Sequence, residues 1–205
     1  MKIFCKAFGD FGTNCYIAQI DNKAFIIDPG VGATKWVLGE LKSKSLTPLA
    51  ILCTHGHFDH INDVADLKSE LGAPVYIHKD DEFMLLGGYQ FGFKFTPCKP
   101  DFAVDEGSYS EGGEEFSYLH FAGHTPGCAM IRIKDVIFSG DFLFKSSIGR
   151  WDFEYSNAHD MLKSLQKCAD LKGDYTIYPG HGASTTLKAE QANLTSWAEY
   201  IRREI

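Results

Sequence analysis

No run of apolar residues in this 205-residue chain reaches the length of a membrane span, and its first residues, Met1-Lys2-Ile3-Phe4-Cys5-Lys6-Ala7-Phe8-Gly9, turn polar too soon for a secretory signal. The expectation is a soluble cytoplasmic protein with no membrane partner. Clustered positive charge is also missing. Lys and Arg number 20 against 27 Asp and Glu, a formal net charge of −7. A polyanion is held by grouped cationic side chains, so this balance argues against a nucleic-acid partner. The six cysteines, at 5, 15, 53, 98, 128 and 168, never form Cys-x-x-Cys or a zinc-ribbon spacing, and several lie inside apolar runs. All six are read as reduced structural residues. No Pro/Ser-rich linker, low-complexity tract, charge block or short internal repeat divides the chain, so residues 1–205 are read as one domain, with 44% hydrophobic content to fill its core.

What the chain does have is histidine in one place. Thr54-His55-Gly56-His57-Phe58-Asp59-His60 puts three imidazoles and a carboxylate into six consecutive positions, directly after the apolar run Leu49-Ala50-Ile51-Leu52-Cys53. A run of that length and composition predicts a buried strand, and side chains on the turn at its end can converge on one point. Neutral imidazole is the commonest protein ligand for zinc and iron, and Asp59 adds a hard anionic oxygen. Three more segments follow β-like runs and each supplies another ligand type: Gly123-His124-Thr125-Pro126-Gly127, Phe138-Ser139-Gly140-Asp141 and Tyr178-Pro179-Gly180-His181-Gly182. His78, His120 and His159 stand outside these segments and read as structural histidines.

Hydrophobic periodicity places the motifs on elements. Residues 15–20 and 24–28 are β-like and joined by a turn at Asp21-Asn22; residues 33–45 and 61–72 carry apolar side chains at helical spacing. A short strand is expected at 74–78, a helix at 79–87, a Gly/Phe/Pro-rich loop at 88–103, and strands from about 115 to 139. Helices are expected at 157–171 and 186–203, with the last strand at 175–178. In the 88–103 loop, Phe91, Phe93 and Phe95 alternate, which suits packing of the loop and also a loop lying over a metal cleft. Asp28, before Pro29-Gly30, reads either as a turn cap or as a carboxylate orienting a ligand histidine.

His-x-His-x-Asp-His after an apolar strand, followed in order by the other three segments, resembles the signature of the metallo-β-lactamase fold superfamily over nearly the whole chain. The resemblance implies an α+β fold, a four-layer αββα sandwich with the ligand loops along one edge of two sheets. It implies one metal site from His55, His57 and His124, a second from Asp59, His60 and His181, and Asp141 bridging the two. The cofactors implied are two divalent ions, zinc foremost, with iron or manganese also compatible with these ligands. A metal pair about 3.5–4 Å apart needs a shared anionic ligand to offset the repulsion of the cations, which suits Asp141.

Within the superfamily, residues 123–127, 139–144 and Ile148-Gly149-Arg150 are similar to the glyoxalase II group, which hydrolyses the thioester S-lactoylglutathione. Arg150 stands where that group has a cationic residue touching glutathione, so it is the candidate substrate-binding residue. Only residues 182–205 follow His181, against a helical glutathione-binding domain in the larger enzymes, and Asp152 stands where those have a tyrosine. The chain is thus closer to short glyoxalase II-like hydrolases. The expected substrate is a small acyl thioester, S-lactoylglutathione or a relative. Asp59, as ligand and proton acceptor, is the candidate catalytic residue. The rival reading is an iron-dependent persulfide dioxygenase using His55, His124 and Asp141. A β-lactamase, an RNA-processing nuclease and a non-catalytic binding module that retains the fold are weaker alternatives.

Overall fold

The structure is a computed structural model and describes residues 1–205. The chain opens with β1 (Lys2–Phe8), β2 (Thr13–Ile20) and β3 (Lys23–Ile27), then α1 (Thr34–Ser43) and β4 (Thr47–Leu52). The first histidine segment lies between β4 and α2 (Phe58–Ile61), and α3 (Val64–Leu71) and β5 (Val75–His78) follow. After α4 (Glu82–Gly87) come the hairpin β6 (Tyr89–Gln90) and β7 (Phe93–Lys94), then β8 (Phe102–Val104), β9 (Gly107–Glu111), β10 (Glu114–His120), β11 (Ala129–Ile133) and β12 (Val136–Gly140). The remainder is the hairpin β13 (Leu143–Phe144) and β14 (Ser147–Ile148), α5 (Ala158–Asp170), β15 (Thr176–Pro179), β16 (Thr185–Thr186), α6 (Leu187–Gln191) and α7 (Leu194–Glu204).

Two six-stranded sheets result, ordered β1-β2-β3-β4-β5-β8 and β16-β15-β12-β11-β10-β9. In the first, β3, β4, β5 and β8 run parallel; in the second, β12 and β15 do. Strand alternation explains the layering, because successive side chains point to opposite faces. Along β2 and β3, Tyr16, Ala18, Phe25 and Ile27 meet Phe116, Tyr118, Ile131 and Phe138 of the other sheet. Their neighbours Cys15, Ile17, Ala24 and Ile26 face outward against Val37, Leu41, Val64 and Leu67 of α1 and α3. On the far side, Met130, Ile137 and Ile177 meet Met161, Leu165, Leu194 and Ile201 of α5 and α7. Three apolar interfaces separate four layers, helix, sheet, sheet and helix, the α+β sandwich expected.

Several elements differ from the sequence reading. Residues 2–8 form a strand, though their side chains are mostly exposed and give no alternating signal. The helix expected at 61–72 begins at Phe58 and is interrupted at Asn62-Asp63, where the Asp63 carboxylate is occupied by Gly32 and Thr34. The 88–103 loop contains a hairpin and the start of β8, and β16 follows the strand expected to be last. The C-terminal helix is two pieces, parted at Ala192-Asn193. Five cysteines are buried and Cys5 is exposed on β1; none is paired.

Candidate metal centre

The four ligand-bearing segments all leave the sheets at one edge. His55 and His57 follow β4, Asp59 and His60 sit on α2, His124 follows β10, Asp141 follows β12 and His181 follows β15. Parallel pairing of β3 with β4 and of β12 with β15 brings their carboxyl ends to that edge. Close approach is possible because Gly180 has no side chain: a Cβ there would overlap Asp141 Oδ1 and come within 2.6 Å of His60 Cε1.

The seven residues form two neighbouring clusters. Ligand atoms of His55, His57 and His124 lie within 4.8 Å of one another, as do those of Asp59, His60 and His181. His57 Nδ1 and His124 Nε2 face each other at 2.9 Å. Asp141 stands between the clusters, Oδ2 at 3.5 Å from His124 Nε2 and 3.3 Å from His181 Nε2, and Oδ1 at 3.3 Å from His60 Nε2. The structure thus brings all seven candidate residues together, with Asp141 between the two groups.

Second partners fix how the rings point. His55 Nδ1 is 3.1 Å from Thr54 Oγ1, His60 Nδ1 is 3.0 Å from Asp28 Oδ2, His124 Nδ1 donates to the Arg150 carbonyl at 2.8 Å, and His181 Nδ1 donates to the Phe11 carbonyl at 3.0 Å. With Nδ1 engaged, Nε2 of each of these four rings is left for the centre, an arrangement that sets ligand tautomer and orientation. Thr13 Oγ1 donates to Asp59 Oδ2 at 2.7 Å. Asp28 therefore does more than cap a turn. Its carboxylate, 1% exposed, accepts from Thr54 N and Thr54 Oγ1 as well as meeting His60.

Buried polar atoms without partners are costly and rare in folded proteins. Here His55 Nε2, His57 Nε2, His60 Nε2 and Asp141 Oδ1 make no hydrogen bond, although His60 Nε2 and Asp141 Oδ1 stand 3.3 Å apart. Burial, with neighbouring imidazoles adding to it, holds His55 and His57 well below the usual histidine range, so both are neutral and keep a lone pair. Burial also lowers His124. At His60 burial opposes protonation, but Asp141, Asp59 and Asp28 outweigh it and raise the ring well above that range. The neutral imidazoles of His55, His57 and His124, the carboxylates of Asp59 and Asp141 beside His60, and the unpartnered Nε2 of His55 are the donor set of a divalent metal centre, and these residues fit one.

Two further side chains tie the candidate ligand loops together, and no local pattern marks either. Asp81, fully buried, accepts from Gly56 N at 2.8 Å, Thr125 Oγ1 at 2.6 Å and Gly127 N at 2.6 Å, joining the first histidine loop to the loop of His124. Gln90 accepts from Phe58 N at 2.9 Å and donates to the Gly56 carbonyl at 2.8 Å, joining the β6–β7 hairpin to the same loop. Their partners lie 25 to 46 residues away or across a turn, beyond any local pattern.

Above the centre is a cleft of about 500 Å³ with His57, Asp59, His124, Asp141 and His181 on its floor. Its walls are Phe11, Phe58, Phe91, Phe93, Phe144, Ile148 and Phe153, with Gly149 and Arg150. The three alternating phenylalanines therefore part company: Phe91 and Phe93 line the cleft, while Phe95 is buried in the helix-side core. Arg150 reaches the rim, but its guanidinium is held in two hydrogen bonds by Asp152, at 2.8 and 2.7 Å, and lies over Phe153. His78 and His120 stack on each other away from the centre, and His159 is exposed on α5.

The superfamily model described as metallo-beta-lactamase matches residues 8–181. The chain belongs to the metallo-β-lactamase superfamily. The hydroxyacylglutathione hydrolase GloC of Haemophilus influenzae is 31% identical over 88% of this chain and 91% of its own length. Among solved structures, the B3 metallo-β-lactamase BLEG-1 superimposes with a TM-score of 0.86 at 34% identity, over 93% of this chain and 97% of that one. The protein TTHA1623, solved in a di-iron-bound form, gives 0.80 at 34% identity over 91% and 96%. Metallo-β-lactamase-fold proteins bind one or two divalent metals, and this member of the metallo-hydrolase superfamily carries the His/Asp clusters for them. No helix of the chain is long and apolar enough to cross a membrane.

Proposed function

We propose that this chain hydrolyses acyl thioesters, S-lactoylglutathione or a related small thioester among them, with His55, His57 and His124 holding one divalent ion, Asp59, His60 and His181 a second, and Asp141 shared. The observation that carries the reading is the convergence of His55, His57 and His124, and of Asp59, His60 and His181, on either side of Asp141, with His55 Nε2 buried and without a partner. Zinc is the first expectation for the ions, with iron or manganese compatible with the same ligands. When bound, such ions lower the pKa of a water from about 15.7 toward 7 and polarise a carbonyl oxygen.

The chain's own groups do the rest. Asp59, steadied by Thr13, aims a carboxylate at the floor of the cleft, where it orients the attacking water and accepts its proton. The phenyl walls keep bulk water from the reacting carbonyl and position the substrate above the floor. A thiolate is a good leaving group, so the scissile C–S bond breaks without a strong acid beside the sulfur. Asp141 and the three flanking imidazoles hold the floor rigid while charge shifts above it.

Loss of thioester absorbance from S-lactoylglutathione and from S-acetyl-N-acetylcysteamine, with protein reconstituted in zinc, iron or manganese, tests this. Turnover is expected in the reconstituted chain and a fall of about 10²-fold or more in His57→Ala and in Asp59→Asn. Oxygen consumption with a persulfide and an iron-loaded sample, in place of thioester turnover, would establish the dioxygenase reading instead. That reading leaves Asp59, His60 and His181 without a ligand role. Opening of a chromogenic β-lactam as the only activity would move the chain to amide hydrolysis, the class named for BLEG-1.

A further inference from the structure

The cleft that covers the candidate centre is aromatic to a degree that metal binding does not require. Three of its phenylalanines are exposed, Phe11 at 56%, Phe91 at 48% and Phe93 at 43%. They touch one another and the floor. Phe93 stacks on Phe58 with ring centroids 4.4 Å apart and meets Phe11 at 6.1 Å; Phe91 stands 5.4 Å from the ring of His57 and 5.6 Å from Phe153. The wall is therefore continuous from the first half of the chain to the second. A contiguous apolar surface of this kind, left open to water next to reactive groups, marks the place where a ligand buries apolar area.

Charge points the same way. Arg150 is the one Lys or Arg in the lining, and Asp152 already occupies one edge of its guanidinium, through Nε and Nη2. That leaves Nη1 of one arginine, on the rim, to meet the two carboxylates of a glutathione conjugate, against seven apolar side chains in the walls.

The backbone supplies an independent observation. Phe91 and Gly92 form the two-residue turn between the paired residues Gln90 and Phe93, with φ of +49° and +89°. Such a turn needs left-handed residues at both positions and favours Asn or Gly, so a phenylalanine at its first position is disfavoured by its own side chain. The hairpin is nevertheless clamped to the metal loop by Gln90, which holds that phenyl against His57. A strained residue kept in place beside a reactive floor points to a task for its side chain.

We propose that this cleft selects thioesters in which the group flanking the scissile carbonyl is apolar, a medium-length alkyl chain or an aryl ring, with Phe91 and Phe93 as the residues that set the preference. This rests on the thioesterase reading of the same centre. Each methylene drawn from water into the phenyl walls adds about fourfold to binding until the cleft is full. S-lactoylglutathione, with a hydroxyl on its acyl side and a charged tripeptide on the other, gains nothing from it.

The test is kcat/KM of the metal-reconstituted full chain on two series. One varies the acyl group on N-acetylcysteamine through acetyl, butyryl, hexanoyl and benzoyl. The other keeps acetyl and varies the thiol from ethanethiol to hexanethiol and thiophenol. At least a tenfold rise from the shortest to the hexyl member is expected in one series, and which series shows it assigns the acyl or the thiol side to the cleft. Phe91→Gly relieves the turn, so its Tm should not fall, while the hexanoyl-to-acetyl ratio collapses toward one. Calorimetry with the uncleavable S-hexyl and S-methyl thioethers of N-acetylcysteamine gives a readout free of catalysis, expected to favour hexyl at least tenfold. Flat series, with S-lactoylglutathione the best substrate, would overturn the apolar preference and leave the thioesterase intact. A hexyl preference in calorimetry with no thioester turnover would overturn the thioesterase and leave the apolar selection standing.

Discussion

At the scale of single residues, Asp28 shows how one carboxylate sets a ligand. Its Oδ1 accepts from Thr54 N, and its Oδ2 takes both Thr54 Oγ1 and His60 Nδ1. An amide in its place turns one of those two acceptors into a donor, which then faces either the Thr54 amide hydrogen or the His60–Thr54 pair. Asp28→Asn is therefore expected to weaken metal affinity by about 10–100-fold, read by competition with a chromophoric chelator, without abolishing the fold. An unchanged affinity would mean that His60 is oriented by its burial alone. The candidate ligands were legible because their chemistry is in residue type and close spacing, His55 to His60 above all. Asp28 was legible only as a choice between two roles. Thr13, Asp81 and Gln90 were not legible, because what defines them is a partner brought near by the sheets rather than by the chain.

At the scale of elements, periodicity found the strands whose two faces are both buried, β2 to β5, and the helices with one apolar stripe, α1 and α5. It failed at β1, whose faces are mostly wet, and at the breaks in the helical runs, where Asp63 is drawn into distant hydrogen bonds and Asn193 begins a new helix. The contact between β5 and β10 is likewise invisible in sequence. His78, at the end of β5 and 2% exposed, stacks on His120 at the end of β10 with ring centroids 4.0 Å apart. Burial, and then the neighbouring His120 ring, push His78 down to about 4, while Asp80 and Asp105 pull upward and Lys79 adds to the depression. The unfolded chain binds this proton near 6.5, before the folded chain does. Stability from the neutral stack is thus complete above about pH 6.5 and is lost as pH falls toward about 4. His78→Phe keeps a stacked ring without the proton. Its urea midpoint should fall less than that of the parent between pH 7.5 and 5, and equal falls would remove His78 from the acid response.

At the scale of the whole molecule, the centre is a seam between the two sheets. His55, His57, Asp59 and His60 come from the loop and helix after β4 of one sheet, while His124, Asp141 and His181 come from the strand ends of the other. The order of the motifs was readable in the sequence, but their meeting at one edge follows from the parallel pairs β3–β4 and β12–β15, which no local pattern encodes. Metal-free protein must bury His55 Nε2 without a partner, at a cost of about 1–3 kcal/mol, and leaves His60 Nε2 and Asp141 Oδ1 only each other, at 3.3 Å. An ion binds the folded seam and has no such site in the unfolded chain, so loading stabilises the fold by mass action, about 2.7 kcal/mol at a hundredfold excess over Kd. For a chain of this size that corresponds to a rise in Tm of about 5–10 °C. Chelated protein should therefore melt lower than reconstituted protein by that margin. His124→Ala removes the second sheet's residue from the first cluster, and its gain on reconstitution should shrink. A full gain in His124→Ala would mean that the ions hold only the loops around α2, and that the two sheets are joined by their apolar interface alone.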